Sequence, residues 1–171
     1  EPRGFAWIRE YWENVSLPGV ADTITAIACL YDLPNPNKFI KNVNEHLHPD
    51  GIFIVQLQTL SPMIELNDVG NLCHEHLNFY SYKSLVRLYE QNGLEIFKVE
   101  KNGINGGSYR IFARHYKKGS IKFEEKKYGV RELKDFFKKI ENNKKKMIKF
   151  LEKGYNVVGY GASTKANTIL Q

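Results

Sequence analysis

The chain has 171 residues and a mass of 19.8 kDa, with 42% apolar residues, 26% charged residues and a formal net charge of +6. These are the proportions of a single globular unit with a sizeable core, not of a disordered, collagen-like or disulfide-stapled chain. No apolar run approaches the roughly 20 residues needed to cross a bilayer, and no basic segment followed by an apolar one opens the chain as a leader would. Cys29 and Cys73 alone make no disulfide framework, so a reducing, cytoplasmic setting is expected. The chain begins at Glu1 and stops at Gln171 within what reads as a rising helix, so the expectation is a piece of a longer polypeptide.

In chain order, residues 21–28 are β-branched and apolar, which predicts a buried strand. The Leu33-Pro34-Asn35-Pro36 break follows, with Asn35 or Asn37 placed to cap a helix through Leu47. His48-Pro49-Asp50-Gly51 reads as a turn, residues 52–57 as a second buried strand and residues 58–79 as a loop. Ser81 is a candidate N-cap for a helix through Gln91 that Asn92-Gly93 would end. Residues 94–100 and 109–115 read as two strands joined by a Gly/Asn-rich turn, an antiparallel pair at one sheet edge. A long basic helix is expected over 117–153, then a strand over 155–159 and a helix start over 164–170. Strands and helices alternating at these lengths predict a layered α/β sheet.

Thirteen lysines crowd into residues 117–153. Leu133, Phe136, Phe137, Ile140, Met147, Ile148 and Leu151 recur there at spacings of three and four with lysines on the other side, the pattern of a solvated helix face. No aromatic residue interleaves with those lysines as a stacking platform on the expected exposed face, so neither a nucleic-acid nor a membrane partner is expected.

The most unusual cluster is Cys73-His74-Glu75-His76, followed by Asn78, Tyr80 and Ser81. It lies in the loop after the second strand, at the carboxyl-end edge where open α/β sheets bind ligands. In an extended segment His74 and His76 would project to one side and Glu75 to the other. An imidazole there suits general-base chemistry near neutral pH, and an adjacent carboxylate can orient it. The residue types alone equally allow surface histidines capping the following helix. A zinc site would need Cys29 or Asp32 to complete its ligand set.

Two glycine-rich segments stand out. Asn105-Gly106-Gly107-Ser108-Tyr109-Arg110 leads straight into a strand, and its glycines permit positive φ and close approach to a ligand or, equally, an ordinary hairpin turn. Val157-Val158-Gly159-Tyr160-Gly161-Ala162-Ser163 reads as a strand, a turn and a helix start that could cradle an anion. It lacks the third glycine and the later acidic residue of a dinucleotide fingerprint.

Taken in order, residues 21–26 leading to Leu33-Pro34-Asn35-Pro36, His74-Glu75-His76-Leu77 through Tyr80-Ser81, and Gly106-Gly107-Ser108 with Arg110 resemble the sugar C-methyltransferases that use S-adenosylmethionine. Tyr160-Gly161-Ala162-Ser163-Thr164-Lys165 resembles the opening of that family's C-terminal domain. The resemblance implies a class I, Rossmann-like methyltransferase sheet entered near its fourth strand. Residues 1–116 would then be the C-terminal half of the methyltransferase domain, 117–153 a linker helix, and 154–171 the start of a second α/β domain. It also implies a nucleotide-linked keto-sugar as substrate, with His76 as base and Glu75 as its partner, His74 beside them, and Ile27 and Ala28 lining the cofactor pocket. Tyr80, Asn105, Gly106, Gly107 and Ser108 would contact the substrate, and no metal is implied. Two positions depart from the family pattern: Cys73 stands where many members have tyrosine, and Asp32 where many have histidine. Another sugar, an oxygen or nitrogen acceptor, or a non-catalytic or truncated relative of the family therefore stays open. The glycine-rich loop and the acidic residue that hold the cofactor in such enzymes do not occur in these 171 residues, so the piece alone is expected to bind S-adenosylmethionine weakly or not at all and to be inactive.

Overall fold

The computed structural model describes Gly4 and residues 6–160. Four strands, β1 (Ala21–Ile27), β2 (Leu47–Gln58), β3 (Leu94–Asn102) and β4 (Ser108–His115), form one mixed sheet in the order β1-β2-β4-β3. β1 and β2 run parallel, while β4 is antiparallel to both β2 and β3. The expected antiparallel pair therefore does close one edge of an α/β sheet.

Alternation decides which face is covered. Phe53, Val55 and Leu57 of β2, Ile111 and Ala113 of β4, and Leu94 and Ile96 of β3 all point to one side. There they meet Ile40 and Val43 of α1 (Pro36–His46) and Leu85, Leu88 and Tyr89 of α3 (Tyr82–Glu90). Both helices begin where their caps dictate. The Asn35 side chain accepts the Lys38 N–H, and Ser81 and Ser84 satisfy each other's backbone N–H in a capping box. The opposite face carries a row of cross-strand neighbours, Ile27, Gln56, Arg110 and Glu100. In it Arg110 donates to Gln56 Oε1 at 3.0 Å and lies 3.6 Å from Glu100.

Several elements differ from the sequence reading. β2 starts at Leu47, and the His48-Pro49-Asp50-Gly51 signal is an irregularity within the strand, where the register jumps from Ala21↔Leu47 to Thr23↔Ile52. The segment read as a loop after β2 holds a helix, α2 (Leu60–Leu66), whose Met63 and Ile64 are buried. The basic helix begins only at Val130, forming α4 (Val130–Leu151), because residues 117–129 run as an extended strap. Three successive strap amides, of Lys117, Lys118 and Gly119, donate to Glu95 Oε2 at 2.9, 2.6 and 2.7 Å, and Arg114 Nε donates to Glu95 Oε1 at 2.8 Å. Farther along, Glu125 accepts the first amide of α3, Tyr82 N–H, at 2.8 Å.

α4 buries Phe136 against Met63 and Ile64, with Leu133 and Ile140 beside it. Phe137, Met147, Ile148 and Leu151, the rest of the expected apolar stripe, are exposed among the described residues. Residues 155–160 are coil rather than a strand, and Tyr155 stacks on Phe150 with centroids 5.4 Å apart. A strand needs a ladder partner for its N–H and C=O groups, and the described residues give this segment none. Gly161, Ala162, Ser163 and the helix expected over 164–170 lie outside the described residues. No helix among the described residues is long and apolar enough to cross a membrane.

Candidate active site

The parallel pairing of β1 and β2 brings their carboxyl ends to one edge, and the antiparallel β4 delivers its first residues there: Ser108 faces Gln58, and Arg110 faces Gln56. The sequence blocks at residues 27–32, 73–80 and 105–110 thus converge on one edge of the sheet. β1 ends in an abrupt reversal. Ala28 adopts φ +55°, a left-handed conformation uncommon for a residue with a Cβ, and its N–H donates to Gln56 O at 2.8 Å. The chain then makes a 3-10 turn over Leu30–Asp32 with Leu30 and Tyr31 buried.

That turn holds the histidine block. Tyr31 O accepts two consecutive backbone amides, Leu77 N–H at 2.9 Å and Asn78 N–H at 3.0 Å, and the Asn78 side chain donates to Leu33 O at 2.8 Å. Residues 73–76 form a turn closed by His76 N–H to Cys73 O at 3.2 Å, not an extended segment. Its consequence is a division of labour. His74 and Glu75 are exposed, while the His76 imidazole turns inward, 12% exposed, and packs on the Tyr31 ring with centroids 4.1 Å apart. Its Nε2 lies 4.0 Å from Asp32 Oδ1. None of these histidines caps α3, whose first turn is served by Ser81 and Glu125.

The local electrostatics are those of a partly dry, negatively biased environment. Burial pushes the Asp32 carboxyl up, the imidazole of His76 opposes that, and Glu75 adds to it. Burial likewise raises the Cys29 thiol, with Asp32 reinforcing it, and raises the Tyr31 phenol, with Asp32, Cys29 and Cys73 contributing. Asp32 Oδ1 is buried and has no hydrogen-bond partner. Among the described residues no group of three or more His, Cys, Asp and Glu side chains is arranged to hold a metal.

The other expected site residues divide by exposure. Tyr80 is buried, its hydroxyl 3.5 Å from Leu30 O, and burial pushes its phenol up to about 12. Ser108 is buried and donates to Ile104 O at 2.8 Å. Asn105, Gly106 and Gly107 all have positive φ, so the turn does need its glycines, and a Cβ on Gly107 would sit 2.6 Å from Pro62 Cβ. The close approach at these glycines is to Pro62 and Asp68 of the same chain. Asn105 and Gly106 are exposed at the edge, with Asn105 O held by the Gln58 side chain. Ile27 is 55% exposed, leaving an apolar side chain at the end of β1. The residue that sequence reasoning did not bring to the site is Tyr31, while Asp32 was singled out there as a departure from the family pattern and a candidate zinc ligand, not as a partner of the His76 imidazole. The short helical turn after β1 is what carries them there.

Residues 9–99 match a protein family described as "Methyltransferase domain", and residues 103–171 match one described as "C-methyltransferase C-terminal domain". The C-methyltransferase NovU of Streptomyces niveus is 27% identical over 185 residues, which cover 99% of this chain and 44% of that protein. The chain thus spans less than half the length of that relative. Among solved structures, LepI in complex with SAM superposes with a TM-score of 0.52 at 8% identity, over 63% of this chain and 29% of that one. The 1,6-didemethyltoxoflavin-N1-methyltransferase of Burkholderia thailandensis, with bound 1,6-didemethyltoxoflavin and S-adenosylhomocysteine, gives 0.51 at 11% identity, over 64% and 50%. At such identities these likenesses establish a shared fold, that of the Rossmann-like methyltransferases. The chain belongs to the methyltransferase-domain family, and its later residues continue into the match with the C-methyltransferase C-terminal domain.

Proposed function

We propose that the protein containing this chain transfers a methyl group to a carbon of a nucleotide-linked keto-sugar, with His76 as the base. The observation that carries this reading is the inward-turned imidazole of His76, packed on Tyr31 beside a carboxylate at the carboxyl edge of the sheet. A carbon next to a keto group becomes a nucleophile by losing a proton. The proton passes to the imidazole, and the electron pair of the C–H bond becomes an enolate. Glu75, adjacent and exposed at the mouth, is the acidic partner that offsets the imidazolium or meets a sugar hydroxyl, and His74 flanks it. Asn105, Gly106, Gly107, Ser108 and Tyr80 form the substrate side, with Asn105 and Gly106 offering backbone groups at the exposed edge and Tyr80 and Ser108 holding it from within.

Ile27 and Ala28 fit a bound S-adenosylmethionine as an apolar flank: one side chain is exposed, and the other has a Cβ small enough for the reversal of the chain there. Neither supplies an anion for a ribose. When bound, the cofactor contributes an electrophilic methyl carbon. In this reading residues 1–116 are the C-terminal half of the methyltransferase domain, 117–153 link it to a second α/β domain beginning at 154, and the protein works in the cytoplasm on a small molecule.

The test is proton exchange in the full-length enzyme. Incubated in D2O with a nucleotide-linked deoxy-keto-sugar, the enzyme exchanges the carbon-bound proton beside the keto group, and His76→Gln slows both exchange and turnover by about 10²–10⁴-fold while cofactor affinity holds. Unchanged exchange in His76→Gln removes His76 as the base.

A further inference from the structure

The site contains a polar group that the proposed reaction has not yet used. Asp32 Oδ1 is buried and makes no hydrogen bond, a costly arrangement for a carboxylate oxygen, since a buried acceptor without a donor forfeits its hydration and gains nothing in return. The side chain within reach is the imidazole of His76, whose Nε2 stands 4.0 Å away and can donate to it. We infer that Asp32 is the positioning residue of the base: its buried, unpartnered Oδ1 keeps a proton on His76 Nε2 and so leaves Nδ1 as the nitrogen that takes the substrate's proton.

Three further observations support the pairing, which rests on the reading of His76 as the base. First, both partners hang from one rigid unit. Tyr31 and Asp32 are consecutive in the 3-10 turn after β1, so the ring against which the imidazole packs at a tilt and the carboxylate near its Nε2 are set together. Secondly, the His76 loop is tied to that same turn through Tyr31 O and Leu33 O, which holds the backbones that carry the two side chains next to each other. Thirdly, the remaining charged and titratable groups around the pair are Glu75, Cys29, Cys73 and Tyr31. None of them is a cation that would compete with His76 for Asp32, and Glu75, the carboxylate among them, favours a proton staying between Asp32 and His76. The 4.0 Å separation is about 1 Å longer than a hydrogen bond. The Asp32 side chain is 39% exposed, and a small rotation closes the gap, as catalytic hydrogen bonds commonly do once substrate is seated.

A neutral imidazole carries its proton on one ring nitrogen or the other, and the hydrogen bond at one nitrogen decides the role of its neighbour. The experiment is nitrogen-15 NMR of the histidine rings in the full-length enzyme, with His76 assigned by loss of its signals in His76→Gln, compared with Asp32→Asn and Asp32→Glu. The expected spectrum shows neutral His76 protonated on Nε2 in the wild type and a mixture of tautomers in Asp32→Asn, with the Nε2-protonated form regained in Asp32→Glu. In parallel, kcat of Asp32→Asn falls about 10²-fold with KM unchanged. A wild-type His76 protonated on Nδ1, or a tautomer indifferent to Asp32→Asn, overturns the inference. If the tautomer follows Asp32 while His76→Gln still turns over, the pairing stands and the assignment of the base fails, so the two results are separable.

Discussion

Glu95 offers the most quantitative test of how the chain is held together. Its carboxylate is about 1% exposed, yet it receives three backbone amides and the Arg114 guanidinium. Burial pushes this acid up, and the amides of Lys118 and Lys117, the Arg114 side chain and the amide of Gly119 together outweigh it, bringing it from an ordinary 4.5 down to about 2. At about 1.4 kcal/mol for each tenfold change, that difference is worth roughly 3 kcal/mol. Screening by the water that reaches the partly exposed Arg114 reduces it to about 2 kcal/mol. Because the folded-state value lies below the unfolded one, this stabilisation is complete above about pH 4.5 and is lost as the pH falls towards 2. Glu95→Gln in the full-length protein is therefore expected to lower stability by about 2 kcal/mol at pH 7, with the deficit shrinking steadily between pH 4.5 and 2. Urea titrations at several pH values read the difference, and hydrogen exchange at Lys117, Lys118 and Gly119 locates it. A deficit that does not change with pH, or one below about 0.5 kcal/mol, would refute the idea that the charge of Glu95 fastens the strap.

Two further substitutions address packing. Phe136→Ala empties the contact between α4 and α2 around Met63 and Ile64 and is expected to cost about 3 kcal/mol, seen as fast hydrogen exchange along α4; protection equal to that of the wild type would mean the helix docks by other means. Gly107→Ala, with a Cβ forced to 2.6 Å from Pro62 at φ +114°, should lower stability by more than about 2 kcal/mol. Gly119→Ala, at φ +94° but with its nearest neighbour 3.5 Å away, should cost only about 1 kcal/mol, and equal effects in thermal melts would show that backbone strain rather than the clash dominates.

Where a sequence signal was local, it was legible. Asn35 and Ser81 announced their helices because a short polar side chain before an apolar-periodic run has one favourable use, accepting an orphan amide. α2 escaped notice since Pro62 falls inside a seven-residue helix and its apolar residues are explained only by Phe136, far along the chain. The strap was read as helix on account of its lysines, although Ile121, Phe123 and Glu125 alternate with polar residues at a period of two and Gly119 and Gly129 bracket them. His48-Pro49-Asp50-Gly51 has every mark of a turn and is absorbed into β2 as an irregularity, because the flanking strand pairing with β1 outweighs local preference. At the site, the His74-Glu75-His76 block could be singled out from its residue types. Which of its side chains turns inward, and that Asp32 waits there, depends on how two loops from different strands dock, and no spacing in the sequence encodes that.

Two carbonyls, of Tyr31 and Leu33, link those loops. The carbonyl of Tyr31 spends both of its lone pairs on the amides of Leu77 and Asn78, so the end of β1, which borders the proposed cofactor side, and the segment bearing His76 share a common point of reference. Two parts of a machine bolted to the same pin cannot shift independently. A molecule that presses on the end of β1 would turn the imidazole with it, so that seating one reactant adjusts the aim of the base on the other.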